Sequence, residues 1–442
     1  MTRFADHNRS SSAGRNGHRA DSVRIDEAIT DSGDVPSEMV ISNSVRAFYE
    51  SHPYPPPVKN LDGYGKLWDY QRRRAELILF WPSQRYREER TILIAGCGTS
   101  QAAKYAMRWP RAKVVGIDVS ASSVAFTQQL KRKYRLDNLE VRQLAVEDVA
   151  ELGQRFELIV STGVLHHLPN PDAGLRALHS VLAPRGALHL MVYAPYGRAG
   201  VYLIQDYCRR LGIGTSEDDI RQLSLSLRAL PLDHPLMPLI RNSPDFQSEA
   251  GLADALLHPK DRAYSVPELF DFLDVGGFRF GRWVRQASYL PQCGALRLTP
   301  HYERLSRLPI LDQYSAVELF RGTMVRHSIV AYSKECDEPQ VSFRGSGWGK
   351  YVPVRLPNTI AVHERLPEGA AAVLINQSHS FTDLYLPITA VQESLLVRID
   401  GRRSIAEITN GIAPLGEAHQ FFEQLWFYDQ IVFDASHALN NI

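Results

Sequence analysis

The chain has 442 residues, 44% of them apolar, and its 50 Lys+Arg stand against 49 Asp+Glu for a formal net charge of +1. That length is enough for several cores, and the even charge argues against a dedicated nucleic-acid binder, which carries a strongly basic face. The four cysteines, Cys97, Cys208, Cys293 and Cys336, form no C-x-x-C pair, so neither a disulfide scaffold nor a structural zinc site is expected, and no metal is assigned. No run approaches the ~20 apolar residues of a spanning helix. The start of the chain lacks the apolar stretch of a secretion leader. A cytoplasmic setting with no membrane partner is the expectation.

Residues 1–40 are polar, without apolar period, and read as a disordered tail. Residues 41–90 read as an N-terminal lid. A helical stretch around Val45 runs into Pro53, Pro55, Pro56 and Pro57, which end it, and 65–81 reads as helical again. From residue 91 short apolar strands alternate with helices. Strands are predicted at 91–95, 113–117, 139–144, 156–161 and 187–193, with helices to about Arg108, over 120–134, and from Asp172 as cap to Leu182. Such alternation predicts an α/β, doubly wound, Rossmann-like sheet. Residues 198–264 interrupt it with helical text and read as an insertion. Ser265 and Glu268 form a capping-box start to a further helix, and strands follow at 278–284 and 326–333. The core is expected to span 91–334, followed by a Gly-Ser linker at 335–350 and a C-terminal winged-helix-like α+β domain at 351–442.

The strongest motif is Ile92-Leu93-Ile94-Ala95-Gly96-Cys97-Gly98-Thr99-Ser100. A buried strand runs into G-x-G and opens a helix. Glycines let the backbone turn tightly and approach a ligand, and the helix start aims N–H groups at it. Asp118 ends the next strand at about the 20-residue spacing of a carboxylate that holds a ribose diol; a helix cap is its alternative role. The third glycine of a pyrophosphate-binding turn is missing, with Gln101 in its place. This favours an adenosyl ligand without phosphates.

The ordered segments GCGTS, VVGIDVS, FELIVSTGVLHHLPNP and LAPRGALHLMVY, spread over about residues 90–195, resemble class I S-adenosylmethionine-dependent methyltransferases. The segment FYESHPYPPP is similar to a YEENPYP-like stretch found in one bacterial subgroup that shares the ILIAGCGT form. The resemblance implies S-adenosylmethionine as cofactor. It implies Gly96, Cys97 and Gly98 beneath the methionyl part, Asp118 on the ribose, Val119 beside the adenine, Val146 and Glu147 along its edge, and Thr162 and Gly163 near the methionine end. Two positions depart from the family pattern: Ile94 stands where an acidic residue is common, and Ala145 where an Asp is.

His166 and His167 follow the fourth strand at the carboxyl end of the sheet, where open α/β folds bind ligands. A neutral imidazole there could take a proton from an acceptor, or only shape the pocket. Tyr49, with His52 and Tyr54, is a candidate lid, stiffened by prolines and suited to excluding water. Tyr54, Tyr193, Tyr196 and Arg198 are candidate acceptor contacts, together with His258, Asp261, Arg262 and Tyr264 from the polar LHPKDRAYS stretch. A solvated loop explains those last four nearly as well.

In the last segment, LLVRIDGRRSIAEI and FFEQLWFYDQIVF are weakly similar to peptide-binding winged-helix domains of the PqqD type and to terminal domains of some bacterial protein lysine methyltransferases. The apolar spacing there is that of a core. The functional expectation is methyl transfer to a small molecule. The alternatives are a peptide or protein acceptor docked by the C-terminal module, and a non-catalytic binding protein. A homodimer is left open, and nucleic acid is not expected as a partner.

Overall fold

A computed structural model describes residues 38–439. Most of the tail expected over 1–40 therefore lies outside the described residues. Helix α1 (Glu38–Ser51) is followed by α2 (Tyr70–Phe80). The helical text at 65–81 is in fact broken. Gly65–Leu67 forms a 3-10 turn, and the Asp69 carboxylate accepts the Arg72 N–H at 2.8 Å, which starts α2 afresh.

The alternating unit runs β1 (Thr91–Ala95), α3 (Gln101–Arg108), β2 (Lys113–Asp118), α4 (Ala121–Tyr134), β3 (Leu139–Gln143), β4 (Phe156–Thr162), α5 (Pro171–Ser180) and β5 (Leu182–Tyr193). Asn170, not Asp172, caps α5: its side chain accepts the Ala173 N–H at 3.0 Å with Pro171 at the first helical position. Likewise Ser120, not Asp118, caps α4. The insertion folds as α6 (Ala199–Leu211), α7 (Glu217–Leu227), α8 (Met237–Asn242) and α9 (Glu249–Leu256), around its own core of Val201, Ile204, Leu223, Leu236, Leu252 and Leu256. Then come α10 (Val266–Val275), with the expected capping box, β6 (Phe278–Trp283), α11 (Tyr302–Leu305), α12 (Ile310–Arg321) and β7 (Arg326–Ser333).

The seven strands lie in the order β3-β2-β1-β4-β5-β7-β6. The first five are parallel, and β7 enters antiparallel between β5 and β6. Ile92, Leu93, Ile94 and Ala95 are fully buried, as a central strand covered by helices on both faces requires. Gly116 lets α3 lie close on the sheet: a Cβ there would stand 2.7 Å from that of Ala102. The strand order reverses between β1 and β4, so the carboxyl ends of these two strands flank the crevice where such sheets bind ligands.

The C-terminal part has β8 (Val352–Arg355), β9 (Thr359–Val362), β10 (Ala372–Asn376), β11 (Tyr385–Ile388), α13 (Ala390–Val397), α14 (Ile405–Thr409), α15 (Leu415–Phe427), β12 (Ile431–Asp434) and α16 (Ser436–Leu439). β8 pairs with β12, and β9, β10 and β11 form a separate antiparallel sheet. This part is packed on the core. Ala75, Ile78 and Leu79 of α2 meet Val354 and Val432, and Arg74 pairs with Asp434 at 2.9 Å. The stretch 335–350 is held as well: Glu338 is buried against Ser83 and Arg185, and Trp348 lies in the C-terminal core. Among the described residues no helix is long and apolar enough to cross a membrane.

Candidate functional site

The strand-to-helix turn after β1 takes Gly96 to φ +76° and Gly98 to φ +52°, both in the left-handed region that favours glycine. The space around them is also tight. A Cβ on Gly96 would stand 2.2 Å from Val164, and one on Gly98 would stand 3.1 Å from Pro55. The Asp118 carboxylate braces this turn. One oxygen accepts the Gly98 N–H at 2.8 Å and the other the Ser120 N–H at 3.0 Å. Burial pushes this carboxyl above its ordinary range, and the two N–H groups oppose that rise.

The proline-rich segment behind α1 lies over the same turn. The Thr99 hydroxyl donates to the Pro55 carbonyl at 2.8 Å, and the Tyr54 hydroxyl reaches Asp245 at 2.5 Å. The segment therefore straps the glycine turn to the insertion. Tyr49, from α1, donates to the buried carboxylate of Asp254 on α9 at 3.2 Å.

Beneath this strap the turn after β4 and the loop after α9 bring a group of ionisable side chains together. His166, His167, Arg198, Asp254 and His258 are buried. His167 packs against His258 with ring centroids 3.9 Å apart, and His166 against Tyr193 at 4.1 Å. Arg198 covers the Tyr193 ring at 3.6 Å and pairs with Asp261 at 3.0 Å. The two loops are joined directly, by Arg262 N–H to His166 carbonyl at 3.2 Å. Burial lowers the pKa of all three histidines, and their mutual repulsion lowers His166 and His258 further, so at pH 7 the imidazoles are neutral. Burial raises Asp254 to about 7 against the pull of the Tyr49 hydrogen bond, with Asp245 adding to the rise.

The expected site residues divide into two groups. Tyr49, Tyr54, Gly96, Gly98, Asp118, His166, His167, Tyr193 and Arg198 gather around the crevice. Thr162 stands at the end of β4, where Gln101 donates to its hydroxyl at 2.9 Å, and Gly163 follows at φ +79°. Val119 directly follows β2, and its carbonyl accepts from Gln143. The Cys97 and Val146 side chains lie in the sheet core, so only their backbone can meet a ligand. Tyr264 is likewise a core residue, packed on Phe272. Glu147 and Arg262 are exposed, and Tyr196 is 42% exposed. Sequence reasoning missed Gln205, Asp245 and Asp254. For Asp254 a signal was present: an acid set among Leu252, Ala253, Ala255 and Leu256, with a histidine four residues on.

A family described as a methyltransferase domain matches residues 93–188, which hold the glycine turn, Asp118 and the His166-His167 turn. The chain carries a class I S-adenosylmethionine-dependent methyltransferase domain. S-adenosylmethionine is the cofactor of this methyltransferase domain. The chain is 31% identical to an uncharacterized protein of Synechococcus over 54% of this chain and 59% of that one. It is 32% identical to trans-aconitate 2-methyltransferase of Deinococcus radiodurans over 33% of this chain and 53% of the relative. The chain thus spans between half and three fifths of these curated relatives. Among solved structures, PKMT2 from Rickettsia typhi in complex with AdoHcy shares the fold, with a TM-score of 0.60 at 15% identity over 86% of this chain and 77% of that one.

The residues present fit an adenosyl cofactor without phosphates. The glycine turn offers backbone rather than side chains, and a carboxyl faces it from β2. The buried hydroxyls of Ser100, opening α3, and Ser161, on β4, have no partner, as expected of groups reserved for a polar ligand.

Proposed function

We propose that the chain transfers the methyl group of S-adenosylmethionine to a small-molecule acceptor held in the buried space between the β4 turn, α1 and the insertion. The cofactor brings the activated methyl group. The chain's residues bind, orient, exclude water and accept a proton. Gly96 and Gly98 offer backbone beneath the cofactor, Asp118 takes the ribose hydroxyls, and Thr162 and Gly163 border its methionine end. Holding the acceptor in line accounts for ~7–11 kcal/mol of a barrier when the geometry is right.

The observation that carries the reading is the buried Asp254 carboxyl, joined to Tyr49 and set beside His167 and His258. A general base works best with a pKa near the operating pH, and Asp254 has one at about 7. His166 and His167, the bases expected from the sequence, are pushed down by burial and are weaker candidates. Tyr193 and Arg198 wall the acceptor space, and Tyr54 closes it.

A second reading, a peptide or protein acceptor docked by the C-terminal part, is favoured by an open groove of about 520 Å³ lined by Glu364, Arg365, Asn376, Phe381 and Tyr385 beside the edge strands β9 and β11. Transfer of labelled methyl from the cofactor into a cell extract, separated into metabolites and protein, tests both. Label in the metabolite fraction supports the first reading, and label in protein the second. Calorimetry that finds a folded chain without affinity for the cofactor overturns both.

A further inference from the structure

His166, His167 and Asp261 each bring one ligating atom to a common place, all three atoms within 4.8 Å of one another. All three side chains are at least nine-tenths buried. Neither ring nitrogen of His166 has a partner, and neither has Asp261 Oδ1. An unmet polar atom in such a place costs ~1–3 kcal/mol, so an unmet His166 nitrogen in one cluster with an unmet Asp261 oxygen asks for a ligand.

The outer contacts leave these atoms free while fixing their direction. His167 Nδ1 lies 2.7 Å from the Lys260 carbonyl, which can only accept, so Nδ1 carries the proton and Nε2 keeps its lone pair. Arg198 and Gln205 both donate to Asp261 Oδ2 at 3.0 Å, while Oδ1 is buried without a partner. A carbonyl behind a histidine and donors behind a carboxylate are the supports that metal ligands commonly have.

We propose that His166, His167 and Asp261 form a binding site for a divalent first-row transition-metal ion. Two imidazoles and one carboxylate suit zinc, iron(II), cobalt(II) or nickel(II) better than magnesium or calcium, which prefer oxygen. Bonds of ~2.1 Å place neighbouring ligand atoms ~3.0–3.4 Å apart. Ligand atoms at the 4.8 Å limit must therefore close by up to about 1.4–1.8 Å. Three protein ligands leave positions open for the acceptor, so the ion would hold an acceptor oxygen or nitrogen and ease loss of its proton.

A neighbouring trio, His167, Asp254 and His258, is equally close but less suited. Asp254 already accepts from Tyr49, and His258 Nδ1 accepts the Lys260 N–H at 3.1 Å, so its Nε2 carries a proton.

The test uses the untagged full chain, stripped with chelator and titrated with cobalt(II) and with zinc, without cofactor or acceptor. Expected are about one bound ion per chain by elemental analysis, a visible cobalt spectrum typical of nitrogen–oxygen ligation, and a raised melting temperature. His166→Gln and Asp261→Asn should each weaken cobalt binding at least ~10–100-fold, the range seen even for outer contacts. Asp254→Asn should leave it unchanged. A wild-type chain that stays free of cobalt and zinc overturns the proposal, as does binding that survives both ligand substitutions. Because the reading is metal content, the result stands whether or not methyl transfer is found. If a variant does not fold, the wild-type cobalt spectrum still decides.

Discussion

The two halves of the crevice are built in opposite ways. The glycine-turn half is backbone: Gly96, Gly98 and two N–H groups gathered on Asp118, all from β1, β2 and the turns that follow them. The β4 half is side chain: Tyr49 from α1, His166 and His167 after β4, Arg198 before α6, and Asp254 with Asp261 from the end of the insertion. A ligand shared by many enzymes can be met by a fixed backbone shape, which tolerates changes in the side chains around it. Chemistry particular to one acceptor needs chosen ionisable groups, and these come from the parts of a fold that vary most freely.

Asp254→Asn tests that division most severely. If the β4 half carries the proton transfer, turnover should fall ~10²–10⁴-fold while cofactor affinity measured by calorimetry stays within about threefold. The pH dependence should change as well. Tyr49, Asp245, Arg198, Asp261, His167 and His258 surround Asp254, and turnover of the native chain should rise as the pH passes about 7, where this carboxyl ionises. That rise should vanish in the variant. Stability runs the other way. The folded-state value lies above the ~3.9 of an unfolded Asp, so the contribution of the neutral carboxyl is complete below pH ~4 and is lost as the pH climbs to about 7. Thermal melts of Asp254→Asn from pH 5 to 8 should show a smaller decline than the native chain. An identical decline would remove the buried carboxyl from the account.

Asp118→Ala is the converse. It removes one carboxylate and leaves two backbone N–H groups unmet, that of Gly98 in the glycine turn and that of Ser120 after β2, so cofactor binding should weaken ~10–100-fold. The pH midpoint of the remaining turnover should not move. Unchanged affinity would deny Asp118 a part in the cofactor site.

The same division explains what the sequence could reveal. The parallel sheet, the glycine turn and Asp118 were legible because each is a local pattern: an apolar strand, a G-x-G, and an acid at the end of the next strand. The capping box at Ser265 was legible for the same reason. The helix capped by Asp69 was expected five residues early, and the cap at Asn170 was placed two residues late, because several residues nearby can cap and only geometry selects one. The β4 half was partly legible. His166 and His167 stood out by their place after a strand, and Arg198 by its place after the next. Asp254 did not, because nothing along the chain says that α9 folds back onto α1, 205 residues earlier. Cys97 and Val146 were named for their place in the motif, but both stand in turns beyond strand ends with their side chains in the hydrophobic core, which leaves only backbone for a ligand.

The strap belongs to both halves, and the smallest expected effect tests that. Pro55 lies against Gly98 and accepts from Thr99, while the Tyr54 hydroxyl, one residue earlier, holds Asp245 of the insertion. Tyr54→Phe keeps the ring and removes only that last hydrogen bond, which is worth ~0.5–1.5 kcal/mol, or more with a charged partner. A strap that merely pads the surface would lose a little stability and nothing else. A strap that closes the crevice should lose affinity for cofactor and acceptor together, each about 3–10-fold, with turnover at saturation reduced less. Paired calorimetry and steady-state kinetics separate the two outcomes. A fall in one affinity alone would assign the strap to that half and break the link that Tyr54 and Pro55 make between them.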